Sequence, residues 1–180
     1  MSVLLLCALV LDTVFGRFDG LKACEFSVKT DNGTRGLDLT PLTGVTIIMP
    51  EQSPNEAYYL KYTPCTNGVS ESCYSSGNSM AAQMYGSSDS VGNGILALWD
   101  NKQTTPKYSK TSNGADKFTF EYPAMGVTCN NGCYNGRQQE INFICDPTAD
   151  PYDKTQSQFY ETPKTNGICY YHLDLYTKYA

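Results

Sequence analysis

Cysteine is the reactive residue type that stands out in this chain, with eight in 180 residues. Cys129 and Cys133 are separated by three residues, which would suit half of a zinc site. Such a site needs further cysteine or histidine ligands, and His172 is the only histidine. Cysteines in an oxidising compartment normally pair with one another, so we predict disulfides, with no metal and no other cofactor.

Two further groups of residues could support catalysis. His172 could act as a general base, but no nucleophile motif flanks it. Asp146 and Asp150 could be the paired carboxylates of a glycosidase or calcium ligands, but their spacing matches neither pattern well. We therefore interpret His172 as a half-exposed structural residue and the two aspartates as loop residues. The protein is predicted not to be an enzyme.

The elements that would position these side chains are short segments rich in aromatic and β-branched residues. Most alternate apolar and polar residues, which is typical of a strand with one buried face. They cover residues 46–49, 58–62, 95–99, 118–122, 140–145 and 168–175. Turns are predicted at the Asn- and Gly-containing segments 92–94, 113–114, 130–132, 135–136 and 166–167. We predict a single all-β domain, a flattened β-barrel or sandwich of two antiparallel sheets braced by disulfides.

The N-terminus indicates the compartment. Residues 1–11 form an apolar run that is too short to span a bilayer but suits the core of a signal peptide. We predict a signal peptide over 1–16 and a mature domain over 17–180, with a buried first strand as the alternative. The predicted location is the lumen of the secretory pathway, in the Golgi, endosome or lysosome, or outside the cell. A membrane anchor could then lie only beyond residue 180.

Two surface properties agree with that location. Asn32-Gly33-Thr34 is a glycosylation sequon, which predicts a modified Asn32 in a polar loop. The formal net charge is −5, whereas nucleic-acid binding requires a clustered basic face. Nucleic acid is therefore not an expected partner.

An ordered series of motifs runs along the chain. Arg137 precedes a strand that ends at Cys145-Asp146, Glu161 lies eight residues before Cys169, and Tyr171 lies two residues after it. The upstream motifs are Cys24, Leu37-Asp38-Leu39-Thr40-Pro41-Leu42, a tyrosine-rich strand before Cys65, Ala81-Ala82-Gln83, Leu98-Trp99 and Tyr122. In this order the motifs resemble the mannose 6-phosphate receptor homology (MRH) domain, over about the whole mature chain.

This resemblance implies a sugar site made of Gln83, Arg137, Glu161 and Tyr171, which would read the axial 2-hydroxyl of mannose and its neighbours. The side chains suit that task, because vicinal hydroxyls need fixed donors and acceptors side by side. Arg137 offers a planar fork of donors, Glu161 charged acceptors, Gln83 both, and Tyr171 a hydroxyl on a stiff ring. Taken singly, Arg137 and Glu161 would instead form a surface ion pair and Tyr171 would be a core residue.

The resemblance also implies a disulfide pattern. Cys24 would pair with Cys65, Cys169 with Cys129 or Cys133, and Cys145 with a cysteine just past Ala180. Loss of Cys7 with the signal peptide would leave an odd set: Cys24, Cys65, Cys73, Cys129, Cys133, Cys145 and Cys169. We therefore expect the chain to stop just before the last cysteine of the family, with a free thiol at Cys145. Cys73 and the remaining loop cysteine would form an extra pair.

The ligand is left open between mannose and mannose 6-phosphate. The loop that would contact phosphate, Asn130-Asn131-Gly132, offers backbone N–H groups but no cationic side chain. It would equally well be a glycine turn closed by a disulfide. We expect a lectin domain that recognises terminal mannose or mannose 6-phosphate on N-glycans and sorts lysosomal-type glycoproteins. The alternative is a non-catalytic sorting or structural module that does not bind sugar, as in the autophagy-linked membrane proteins that share this domain.

Overall fold

A computed structural model describes residues 24–52, 58–70, 79–86, 92–97, 106–125 and 133–180. These ranges contain eleven β-strands and one 3-10 helix, Thr40–Leu42. The strands are β1 Glu25–Thr30, β2 Gly33–Asp38, β3 Ile47–Pro50, β4 Tyr58–Tyr62, β5 Ala81–Tyr85, β6 Gly92–Ala97, β7 Lys107–Lys110, β8 Asp116–Met125, β9 Arg137–Cys145, β10 Gln158–Thr165 and β11 Ile168–Thr177. Within these ranges no helix is long and apolar enough to cross a membrane.

The strands form three sheets. Strands β1 and β2 make a hairpin, β3-β4-β5-β6 make a four-stranded antiparallel sheet, and the third sheet has the order β10-β11-β9-β8-β7. The prediction of an all-β fold is confirmed. Because the sheets do not close on themselves, the domain is a sandwich and the barrel alternative is wrong.

The prediction of two antiparallel sheets also needs correction. Strands β9 and β11 are parallel neighbours, with Arg137 opposite Cys169 and Cys145 opposite Thr177, so the five-stranded sheet is mixed. Parallel neighbours need a crossover of a dozen or more residues. The segment 146–167, which includes β10, supplies that crossover and brings the chain back beside β9 in the same direction.

The core lies between the facing sheets. Every second residue of β11 is buried, from Cys169 to Thr177, as the alternating pattern predicts. Phe143 of β9 packs edge-on against Phe120 of β8, with ring centroids 5.7 Å apart. Burial of each large apolar side chain contributes roughly 1.5–3 kcal/mol to the stability of the fold. A polar side chain that enters it must find a hydrogen-bond partner.

The predicted turns have two outcomes. Asn166-Gly167 joins β10 to β11 with positive φ angles of 53° and 76°, which confirms the prediction of a tight turn. The turn predicted at 92–94 is wrong, because these residues begin strand β6 and Gly94 pairs with Gln83 of β5. Glycine is required at position 94 by close packing and not by a turn, as the site geometry below shows.

Two disulfides join described residues, Cys24–Cys65 and Cys133–Cys169. The first confirms its prediction, and the second identifies Cys133, not Cys129, as the partner of Cys169. Cys145 is also disulfide-bonded, so the expectation of a free thiol there is wrong. Cys145 is bonded within this chain, to a cysteine other than the four in the two disulfides above, so its bond does not require a cysteine beyond Ala180. Cys7, Cys73, Cys129 and the predicted signal peptide lie outside the described residues.

Candidate functional site

The four side chains implied by the resemblance come together between the two larger sheets. Gln83 lies in β5 of the four-stranded sheet, whereas Arg137, Glu161 and Tyr171 lie in β9, β10 and β11 of the five-stranded sheet. The Tyr171 hydroxyl donates to Gln83 Oε1 over 3.2 Å. The Arg137 guanidinium lies close enough to this hydroxyl to oppose the rise in its pKa that burial causes, and Glu161 is also within electrostatic reach of it. We call these four residues together with Glu51, described below, the polar cluster.

Strand register explains why three of these side chains meet. Arg137 is opposite Cys169 in the parallel β9-β11 pair, and Glu161 is opposite Tyr171 in the antiparallel β10-β11 pair. Side chains directly opposite each other point to the same face of a sheet, and so do residues two apart in one strand. Arg137, Glu161 and Tyr171 therefore all face the four-stranded sheet, which carries Gln83.

Arg137 is the most deeply buried charged residue in this group, with 1% of its surface exposed. Its Nε and Nη1 atoms are buried and have no hydrogen-bond partner. No ion pair joins Arg137 to a carboxylate in the part of the chain that the structure describes. The alternative interpretation as a surface ion pair with Glu161 is therefore wrong. A buried donor without an acceptor costs about 1–3 kcal/mol, so these two N–H groups favour a ligand that carries acceptors.

Gly94 makes room for the Arg137 guanidinium. A Cβ atom added at Gly94 would lie 2.2 Å from Nη1 and 2.6 Å from Cζ of Arg137. Since contacts shorter than about 3 Å are not sterically allowed for carbon, any side chain at position 94 would displace the guanidinium. Gly94 of β6 pairs with Gln83 of β5. The Arg137 guanidinium thus packs directly against backbone that carries no side chain.

Tyr171 combines a core ring with a polar end. Its ring stacks on Phe159 with centroids 5.9 Å apart, and the residue is 2% exposed. The interpretation of Tyr171 as a core residue is thus correct for the ring, while the hydroxyl belongs to the polar cluster. Burial raises the pKa of Tyr171 well above its ordinary value, although the Arg137 charge opposes that shift. The hydroxyl is therefore neutral and can both donate and accept.

Glu51 is the member of the cluster that no sequence motif marks. It directly follows β3, is 5% exposed, and forms an isolated parallel bridge with Phe159 of β10. Its Oε2 atom accepts a hydrogen bond of 2.6 Å from Gln83 Nε2. Burial raises the pKa of the Glu51 carboxyl, the Gln83 hydrogen bond opposes the shift, Glu161 adds to it, and Arg137 opposes it. Only the meeting of β3 with β10 brings this carboxylate to the cluster.

The polar cluster has the composition of a site for a polyhydroxylated ring. When ionised, Glu51 and Glu161 carry two negative charges around the single positive charge of Arg137. Donors, acceptors and a neutral hydroxyl therefore lie side by side on strands, which hold them rigidly. Glu161 is only partly buried, whereas the other four members are buried, so Glu161 marks the side of the cluster nearest to solvent. The described residues contain no group of three or more His, Cys, Asp or Glu that could hold a metal ion.

The remaining predicted residues lie away from the cluster. His172 stacks on Tyr160 with ring centroids 5.0 Å apart, and its Nδ1 is 3.6 Å from Glu140 Oε1. Asp146 and Asp150 lie between β9 and β10, where Asp146 accepts from Thr148 and Asp150 from Lys178. Asn32 is exposed in the turn between β1 and β2, as a glycosylated residue must be. Asn130, Asn131 and Gly132 lie outside the described residues, as do Leu98 and Trp99.

Comparison with known proteins adds no assignment. No protein-family model matches this chain. No curated protein matches it either. The function of the polar cluster is therefore inferred from its own residues and geometry.

Proposed function

We propose that this domain is a lectin that recognises terminal mannose on the N-glycans of glycoproteins. The observation that carries the proposal is the buried Arg137, whose Nε and Nη1 have no partner although Gln83 and Tyr171 lie beside it. A ligand with two adjacent oxygen acceptors would satisfy both donors of the planar guanidinium at once. The resemblance of the motifs to the MRH domain supports mannose as that ligand.

Stereochemical selection follows from the arrangement of the cluster. A pyranose hydroxyl both donates and accepts, so a hydroxyl between Arg137 and a carboxylate such as Glu161 can use both capacities. An epimer whose hydroxyl points elsewhere would leave a buried charged group without a hydrogen-bond partner. The free-energy cost of that unpaired group is larger than the gain from a neutral hydrogen bond. The cluster should therefore distinguish mannose from glucose, which differs only at the 2-hydroxyl.

The biological setting is part of the same proposal. Disulfides between described cysteines are compatible with an oxidising, secretory-type environment. Glycoproteins with mannose-type N-glycans share that environment and would be the partners of the domain. We propose that binding serves the sorting of lysosomal-type glycoproteins through the Golgi and endosomes.

One observation favours a second candidate, a sorting or structural module that binds no sugar. Gln83, Arg137, Tyr171 and Glu51 are at most 5% exposed, so the cluster could serve only to hold the two sheets together. A buried polar network can specify how two sheets pack without any ligand. The two candidates differ in whether the unused Arg137 donors meet a sugar.

A glycan array on the whole chain decides between the two candidates. The array should compare the parent with Glu161→Gln, because Glu161 is the member nearest to solvent and its replacement is least disruptive to the fold. Glu121→Gln, on an exposed carboxylate that pairs with Lys107, is the matched control. We expect parent and control to bind mannose-terminated glycans and Glu161→Gln to lose them. A folded parent that binds no mannose-terminated glycan would favour the structural module.

Phosphate on the ligand should add little affinity. The Asn130-Asn131-Gly132 loop carries no cationic side chain, the chain has a net charge of −5, and the carboxyl groups of Glu51 and Glu161 both act on Tyr171. An added phosphate would therefore gain at most the attraction of backbone N–H dipoles. The negative charge of the protein would repel it. Calorimetry with mannose and with mannose 6-phosphate measures the difference. A preference for the phosphate of a hundredfold, which is about 2.7 kcal/mol, would contradict this prediction.

A further inference from the structure

The polar cluster contains a hydrogen-bond chain with a defined direction. Tyr171 donates to Gln83 Oε1, and Gln83 Nε2 donates to Glu51. The Arg137 guanidinium lies beside the Tyr171 hydroxyl and opposes the rise in its pKa that burial causes. A guanidinium can only donate and a carboxylate can only accept. The chain therefore runs from the Tyr171 hydroxyl, which lies beside the donor-only guanidinium of Arg137, to an acceptor-only end at Glu51.

Tyr171 and Gln83 do not by themselves fix the direction of these hydrogen bonds. A tyrosine hydroxyl can donate or accept, and an amide has the same shape with its oxygen and nitrogen exchanged. Rotating the Gln83 amide by half a turn would place its oxygen against a Glu51 oxygen, and like partial charges at 2.6 Å repel. Glu51 thus selects one of the two amide orientations, and that orientation determines which way the Tyr171 hydrogen points.

We propose that Glu51 is a positioning residue of the sugar site, which fixes Gln83 so that its carbonyl oxygen faces Tyr171 and the Arg137 side of the cluster. This inference rests on the proposed lectin function only where it concerns the ligand. The ligand then meets an acceptor at Gln83 beside the donors of Arg137. A hydroxyl that bridges them must accept from the guanidinium and donate to the amide, which is a stricter requirement than a freely rotating amide would impose.

The surroundings of Glu51 are compatible with this role. The charged and titratable groups that act on it are Glu161 from β10, Arg137 from β9 and Tyr171 from β11. Gln83 from β5 donates a hydrogen bond to it and lies in the four-stranded sheet to which β3 also belongs. A hydrogen bond to a buried carboxylate is about twice as strong as a neutral one, so the orientation is held firmly.

The experiment combines a spectroscopic reading with a binding measurement on the whole chain. The side-chain amide signals of Gln83 are identified in 15N-labelled protein by their loss in Gln83→Met. In the parent, one Gln83 amide proton should shift as pH rises above 4.5, the ordinary pKa of a glutamate, because Glu51 ionises there with a raised pKa. Glu51→Gln should abolish this titration, whereas Glu121→Gln should preserve it.

Binding gives the second reading. Glu51→Gln keeps the shape of the side chain but replaces a carboxylate, which only accepts, with an amide, which can accept or donate. The replacement therefore no longer imposes an orientation on Gln83. We expect its mannose affinity to fall by about tenfold or more, and that of Glu121→Gln to stay within about twofold of the parent. Glu51→Asp, which keeps the carboxylate, should retain more affinity than Glu51→Gln.

The outcomes separate this inference from the proposed function. Gln83 signals that do not respond to Glu51 would overturn the positioning role, whether or not mannose binds. A responsive signal together with unchanged mannose affinity in Glu51→Gln would overturn it as well. A responsive signal in a parent that binds no mannose-terminated glycan would support the orientation of Gln83 and would refute the lectin function.

Discussion

Replacement of Arg137 by lysine should abolish detectable mannose binding while the domain remains folded. Lysine keeps the positive charge but replaces a planar five-donor fork with a compact ammonium group. The two donors at Nε and Nη1 then disappear, and the positive charge beside the Tyr171 hydroxyl is repositioned. A hydrogen bond to a charged group contributes about 1.5–3 kcal/mol, so loss of both donors would abolish a weak monosaccharide affinity. Isothermal calorimetry with mannose measures the loss, and circular dichroism with thermal melting tests the fold.

The matched control is Arg35→Lys, which makes the same substitution at a partly exposed position in the β1-β2 hairpin. It should bind mannose like the parent. Because Arg137 is 1% exposed, its replacement also risks unfolding, and Glu161→Gln provides the same test at a partly exposed position. A folded Arg137→Lys protein with parental mannose affinity would remove Arg137 from the site and leave it with a purely structural role.

Replacement of Gly94 by alanine should both lower the stability of the domain and remove sugar binding. The backbone at Gly94 is not in the left-handed region, so alanine is compatible with the local conformation. The added methyl group would lie 2.2 Å from Arg137 Nη1, and the guanidinium must therefore move. Overpacking of a buried site typically costs about 1–3 kcal/mol, and Arg137 is only 1% exposed, so its guanidinium has no open solvent to move into. Urea unfolding measures the change in free energy, and mannose calorimetry measures the change in affinity.

Gly68→Ala is the control, because it adds a methyl group at a closely packed glycine outside the polar cluster. A Cβ at Gly68 would lie 3.1 Å from side-chain atoms of Thr63, so Thr63 would have to move by only a few tenths of an ångström. It should therefore lower stability less than Gly94→Ala and leave mannose affinity unchanged. If Gly94→Ala were as stable as the parent and bound mannose equally well, the guanidinium would have space that the structure does not show.

Local pattern was sufficient to predict much of the fold. The alternation of polar and apolar residues in β11 predicted which side chains are buried, because successive side chains in a strand point to opposite faces. The Asn166-Gly167 turn was predictable for a similar reason, since these residue types tolerate positive φ. Strands β1, β2, β5, β7 and β10 were not predicted, because their short or polar segments are stabilised mainly by pairing with neighbours.

The candidate site divides in the same way. The types and spacing of Gln83, Arg137, Glu161 and Tyr171 were visible in the sequence through their motifs, and the structure brings these residues together. By contrast, no motif indicated Glu51, the need for glycine at position 94, or the bonded state of Cys145. The Gln83 hydrogen bonds span 88 residues to Tyr171 and 32 residues to Glu51. Contacts of that range depend on which strands become neighbours and how two sheets face each other, so only the tertiary structure could decide them.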